Sequence, residues 1–157
     1  MGSDGRTNGG DVNEIAAAMT PFFSAAIAWV AARGTTVLEA AEQFARRAFG
    51  GVEPDPAALG RGMTAYTAGI VTGARLRGRE VGLPDDGALL EAVGTAGRRG
   101  TQRIVAENCD LAHVAAAEEL CASTLGRGVA DPHGRLPKVL HQLFEEGLAV
   151  GLTLAGA

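Results

Sequence analysis

Aromatic side chains are scarce in this chain, which has one tryptophan, one tyrosine and five phenylalanines among 157 residues. A hydrophobic core must therefore be assembled mainly from alanine, leucine, valine and glycine. The same scarcity disfavours binding of single-stranded nucleic acid, because bases stack on aromatic side chains. With 46% hydrophobic and 20% charged residues, the composition is nevertheless that of a folded globular protein rather than of a disordered chain.

Positive charge is also in short supply. The net charge is -4, and Lys138 is the only lysine among 14 basic residues. Nucleic-acid binding needs a basic face that neutralises phosphates, so this balance makes nucleic acid a disfavoured partner.

Only two cysteines are present, Cys109 and Cys121, in one stretch with a helical pattern. An unbroken helix would separate them by roughly 18 Å, which is too far for a disulfide. We interpret both as buried thiols and predict a reducing, cytoplasmic location.

Long apolar runs are missing as well, and the nearest approach to one is residues 15–32. This segment is interrupted by Thr20, Pro21 and Ser24, lies at the short edge of a membrane span and lacks a basic leader. We therefore predict no membrane association and interpret the segment as an apolar helix within the bundle or at a subunit interface. Residues 1–12 are predicted to form a flexible N-terminal arm, and residues 13–157 a single helical domain.

The hydrophobic pattern shows no sustained alternation of period two, so we expect no sheet. Capping signals at Asn13, Thr36 and Asp55, and prolines at 56 and 137, mark helix starts. The prediction is an all-α, compact bundle of five or six helices, including helices over 86–108 and 110–125. Leu90 and Leu111 are assigned to the inward faces of these two helices.

Two rows of small residues recur at helical spacing. The first lies near the middle of the chain and the second near its C-terminus, and such rows let another backbone approach closely. They predict Gly/Ala-lined helix crossings, formed within one chain or between copies. The rows are Ala58, Gly62, Ala65, Gly69 and Gly73, and then Gly147, Gly151 and Ala155.

The densest collection of metal-ligand side chains surrounds Asp110 and His113, with Glu107 and Cys109 beside them. The i, i+3 spacing of Asp110 and His113 can aim a carboxylate and an imidazole in one direction, as in helical metal sites. The nearest second pair is His141 and Glu145, on the last helix. Since a di-metal bundle needs the motif twice, no metal site is assigned, and Asp110 and His113 stay weak candidates.

The loop of residues 126–136 is the second candidate site. It gathers Arg127, Asp131, His133 and Arg135 on a glycine-rich frame that leads into the last helix. A helix N-terminus favours anions, so these four residues are predicted to bind a small anionic ligand, with Asp131 orienting His133. A solvated connection between helices is the alternative, because the loop matches no phosphate-binding pattern.

Residues 35–50, with the sequence TTVLEAAEQFARRAFG, resemble the first helix of TetR-type repressors. The resemblance ends there, because residues 51–62 are rich in Gly, Pro, Asp and Ala where the family continues with a DNA-reading helix pair. We therefore do not transfer DNA binding to this chain.

The sequence contains no Gly-x-Ser-x-Gly elbow or other catalytic signature. Our leading hypothesis is a cytoplasmic helical protein that self-associates as a dimer and binds a partner or small ligand. The alternative is a small helical enzyme or metal-binding protein with its site at the 126–136 loop or around Asp110 and His113. A DNA-binding regulator is the weaker alternative, and no cofactor is indicated.

Overall fold

The computed structural model describes residues 35–51, 53–76 and 86–156, and every regular element in these ranges is an α-helix. The prediction of an all-α bundle is therefore confirmed. The predicted arm of residues 1–12 and the apolar segment of residues 15–32 lie outside the described residues. Within the described ranges, no helix is long and apolar enough to cross a membrane. The helices are α1 (Thr35–Ala48), α2 (Pro56–Leu76), α3 (Asp86–Arg99), α4 (Thr101–Asn108), α5 (Leu111–Leu125) and α6 (Leu136–Gly156).

Aspartates start three of these helices by accepting hydrogen bonds from backbone amides that have no partner within the helix. Asp55 accepts from the amide of Ala57 at 3.1 Å at the start of α2, as its position before Pro56 predicts. Asp110 accepts from the amide of Ala112 at 2.9 Å at the start of α5. Asp131 does the same for α6, as described with the site below.

The helix predicted over residues 86–108 is in fact two helices, which meet at Gly100. The φ angle of Gly100 is +95°, a conformation that glycine adopts without steric cost and other residues rarely adopt. Its amide closes the last turn of α3 on the carbonyl of Ala96, and its carbonyl accepts the first hydrogen bond of α4 from Ile104. The chain therefore changes direction at this glycine, although the apolar pattern continues through it.

α6 is the central element of the bundle and contacts each of the other five described helices. Its apolar face is completely buried at Leu140, Leu143, Phe144 and Leu148. One contiguous hydrophobic cluster surrounds this face and includes residues from all six helices. The other face of α6 carries polar side chains and forms the cleft described below.

Two leucines assigned to the core are instead exposed, which corrects the sequence interpretation. Leu90 is 53% exposed and Leu111 is 59% exposed. α3 buries Leu89, Ala92 and Ala96, and Leu90 lies about 100° around the helix from Leu89. Leu111 is the first residue of α5, and its side chain is not covered by a neighbouring helix in the described part of the chain.

The two rows of small residues meet each other within one chain, at the crossing of α2 and α6. A Cβ atom on Gly69 would collide with the backbone carbonyl of Phe144, and one on Gly73 with that of Leu148. From the other side, a Cβ on Gly151 would collide with the backbone carbonyl of Ile70. The helices thus touch backbone to backbone, a geometry that permits Cα–H···O contacts and excludes any side chain.

Candidate functional site

The predicted loop site uses two of its four residues to hold the loop in place. Asp131 Oδ1 accepts hydrogen bonds from the amides of Arg135 and Leu136, at 2.9 and 3.1 Å, and so caps α6. Arg135 Nη1 donates at 3.1 Å to the carbonyl of Phe49, just beyond the end of α1. Arg127 and His133 are exposed on the same loop. Anion binding by these four residues stays a prediction.

Asp110 and His113 do not present their side chains to a common site. Asp110 is exposed and caps the start of α5, whereas His113 is buried with 7% exposure. Their neighbour Glu107 accepts hydrogen bonds from Arg99 at 2.8 Å and from Arg103 at 3.2 Å. Across the described residues, no group of three or more His, Cys, Asp and Glu side chains could hold a metal ion.

A cleft between α4 and the first half of α6 is the most distinctive polar feature that the structure reveals. Its volume is about 430 Å³. The break at Gly100 turns the start of α4 toward α6, and the i, i+3, i+4 and i+7 spacing on α6 places its polar residues along one face. The lining residues are Thr101, Gln102, Lys138, His141, Gln142, Glu145 and Glu146.

One wall of the cleft is backed by a buried carboxyl group from α5. Glu118 is only 8% exposed, and its Oε1 lies 3.6 Å from Nδ1 of His141. Nε2 of His141 lies 3.4 Å from Oε1 of Glu119, so the imidazole stands between two carboxyl groups. Glu145 on α6 adjoins Glu118, so two carboxyl groups lie next to each other behind this wall.

Burial and then this contact with Glu145 raise the pKa of Glu118 to about 8. Glu118 Oε2 is buried and has no hydrogen-bond partner among the described residues. At neutral pH the carboxyl group of Glu118 is therefore mostly protonated.

Cys121 lies one turn after Glu118 on α5 and is fully buried. Burial, and then the negative charge of Glu118, raise the pKa of its thiol to about 12. A thiol in that state is not a nucleophile at neutral pH. Cys121 is therefore a core residue, as the sequence interpretation has it, whereas Cys109 is only partly buried, and both are free thiols.

Glu146, which follows Glu145 along the cleft, lies close to the buried aromatic side chain of Tyr66. Burial raises the pKa of Glu146, and its Oε1 has no hydrogen-bond partner among the described residues. Tyr66 is 1% exposed, and burial and then the charge of Glu146 raise the pKa of its hydroxyl. The Tyr66 ring stacks on Phe44 at 5.1 Å, and the guanidinium of Arg47 lies over Phe44 at 5.1 Å.

The sequence interpretation found part of this cleft and missed the rest. It paired His141 with Glu145 from their i, i+4 spacing, but it attached no role to Glu118 or Glu146. The sequence does indicate that Glu118 is buried. It lies one helical turn after Val114 and three residues before Cys121, on the buried face of α5. A glutamate at such a position requires a partner on another helix, which a single helical pattern does not identify.

Arg98 and Arg99 at the end of α3 and Arg103 on α4 place three positive charges near one another in the chain. Arg99 and Arg103 both bind Glu107, and Arg98 donates to Thr95 at 3.2 Å. Two of these three arginines are thus partly neutralised, which is typical of a solvated surface of mixed charge.

No protein family, curated protein or solved structure matches this chain. Function therefore has to be inferred from the cleft and its chemistry.

Proposed function

We propose that this chain is a helical binding protein that takes up a small polar ligand in the cleft between α4 and α6. The observation that carries the proposal is the cleft itself, a space of about 430 Å³ whose seven lining residues are all polar or charged. Ligand sites are concave and hold a few convergent polar groups next to residues with displaced pKa values. Glu146 lines this cleft, and Glu118 lies directly behind its wall.

Binding is favoured over catalysis by the surroundings of His141. Its two ring nitrogens face the carboxyl groups of Glu118 and Glu119, rather than a hydroxyl or a thiol that it could activate. The buried thiol of Cys121, with its pKa near 12, offers no nucleophile behind the same wall.

The proposal retains self-association as a homodimer and a cytoplasmic location. Two thiols favour a reducing compartment. Since the small-residue rows pack against each other within the chain, the argument for a dimer now depends on the apolar sequence of residues 15–32. A regulator that binds DNA gains no support from the mixed-charge surface around Arg99 and Arg103.

Thermal unfolding with a panel of small polar compounds tests the proposal. The panel contains cations, anions, zwitterions and neutral polyols, and the variants are Gln142→Trp, which fills the cleft, and Gln43→Trp, a matched change on the exposed surface of α1. We expect a compound that raises the Tm of the wild type and of Gln43→Trp but not that of Gln142→Trp.

Two results would overturn the proposal. One is a panel in which no charge class changes the Tm of the wild type. The other is an equal increase for Gln142→Trp, which would place the bound compound outside the cleft.

A further inference from the structure

α4 is the shortest of the described helices and has a non-helical residue at each end. We propose that it opens as a unit about joints at Gly100 and Cys109, and that an ion pair between Glu107 and Arg99 is the latch that keeps it closed. α4 is thus a movable wall of the cleft, and its closure depends on ionic strength. This opening is a property of the helix itself and is independent of which compound occupies the cleft.

Little of α4 is buried. All eight of its residues are described, and only Ile104 and Val105 among them are buried. In α5, by comparison, seven of fifteen residues are buried. A helix of two turns is not stable through its own hydrogen bonds, so the packing of these two side chains largely sets the cost of opening. Segments with few buried apolar contacts are the ones that open first in native proteins.

The two joints separate the hydrogen bonds of α4 from those of its neighbours. α3 ends on the bond from the Gly100 amide to the carbonyl of Ala96, and α5 starts on the bond from the Ala112 amide to the carboxylate of Asp110. Neither bond includes a residue of α4. The φ angle of Gly100 is +95° and Cys109 is extended, so the chain is non-helical at both points. Opening of α4 therefore leaves the end of α3 and the start of α5 intact.

One carboxylate connects α4 back to the end of α3. Glu107 Oε1 accepts a hydrogen bond from Arg99 Nη2 at 2.8 Å, and its Oε2 accepts one from Arg103 Nε at 3.2 Å. Arg103 and Glu107 both lie on α4, so their contact moves with the helix. The contact with Arg99 crosses the joint and must break when α4 opens. Because the side chains of Arg99 and Glu107 are about half exposed, salt weakens this contact.

The same helix forms one wall of the cleft through its first two residues. Thr101 and Gln102 line the cleft opposite α6, whereas Glu107 lies about 9 Å from Thr101 along the helix axis. The latch is thus at one end of α4 and the cleft at the other. Movement of α4 as a unit displaces this wall and exposes the polar face of α6 to solvent.

Hydrogen exchange measured by mass spectrometry on the full chain tests the proposal. We expect the amides of residues 104–109 to be roughly tenfold less protected than those at the crossing of α2 and α6, because they exchange without global unfolding. Glu107→Gln and Arg99→Gln should each lower the protection of α4 by a further factor of about two to five, the range for exposed ion pairs. The other helices should keep their protection.

Three controls distinguish a latch from a general loss of stability. Glu91→Gln, a matched change on the exposed face of α3, should leave the protection of α4 unchanged. The double variant Arg99→Gln/Glu107→Gln should lose no more protection than Glu107→Gln, because the contact is already absent there. Sodium chloride at about 1 M should lower the protection of α4 in the wild type but not in Glu107→Gln.

Equal protection of α4 and of the α2–α6 crossing would show that α4 opens only with the whole bundle, and it would overturn the proposal. An equal loss of protection in every helix of Glu107→Gln would make the ion pair a contribution to global stability rather than a latch. Unchanged protection of α4 in that variant would show that the contact with Arg99 does not hold the helix closed. Either of these two results also overturns the proposal.

Discussion

The raised pKa of Glu118, which adjoins Glu145, makes the stability of the folded protein depend on pH. The folded state raises the pKa of Glu118 from 4.5 to about 8, so the folded protein binds a proton that the unfolded chain gives up. The stabilisation is complete below pH 4.5 and is lost as the pH rises through 8. This sign is opposite to that of a carboxylate in an ordinary salt bridge.

We predict that the free energy of unfolding falls between pH 5 and pH 9 by an amount on the order of 3 kcal/mol from Glu118. Glu118→Gln should remove most of this dependence and make the variant more stable than the wild type at pH 9. Urea unfolding at pH 5, 7 and 9 measures it. Glu119→Gln is the control, since that side chain is 75% exposed, and parallel pH curves for wild type and Glu118→Gln would refute the prediction.

The crossing of α2 and α6 is a property of two whole helices. Their backbones touch because four glycines lie at the contact. α2 provides its own comparison, since Gly60 has open space around its Cα and Gly73 faces the carbonyl of Leu148. Both lie inside one helix, so their helix propensities are the same and only the contact differs.

Gly73→Ala should therefore destabilise the protein by more than about 2 kcal/mol, because the helices must move apart along their length. Gly60→Ala should instead stabilise it by roughly 0.5–1 kcal/mol through helix propensity. Chemical denaturation of the two variants checks the pair. Equal effects would show that the close backbone contact does not exist in solution.

The extent to which the sequence predicts this fold differs from element to element. Asp55 marks the start of α2 correctly, since a cap is a local hydrogen bond within three residues. The break at Gly100 escapes prediction because a helical glycine and one with φ of +95° look the same in a sequence. The cleft escapes for a different reason, since Glu118 and Glu145 meet only after α5 packs on α6.

At the scale of the whole molecule, the contacts among the described helices give the least information about the oligomeric state. A Gly69→Leu substitution is not a test of a dimer contact, because Gly69 packs on α6 and a leucine there would disrupt packing inside the chain. Its effect on assembly could not be told apart from unfolding.

Native mass spectrometry without chelator is the appropriate measurement, and we predict a species of twice the 16.0 kDa chain mass. Gly60→Ala serves as a folded control and should give the same mass. A single-chain mass at micromolar concentration would contradict the dimer, and an additional bound mass would identify the ligand directly.

The central place of α6 also has a consequence for biosynthesis. Every other described helix packs against α6, and α6 is the last of the described helices to leave the ribosome. Until then α2 presents a glycine groove that only α6 fills, and the apolar faces of α1, α3, α4 and α5 lack their common neighbour. A nascent chain of this protein therefore cannot complete its core before α6 has left the ribosome, and until that point its exposed apolar faces favour aggregation.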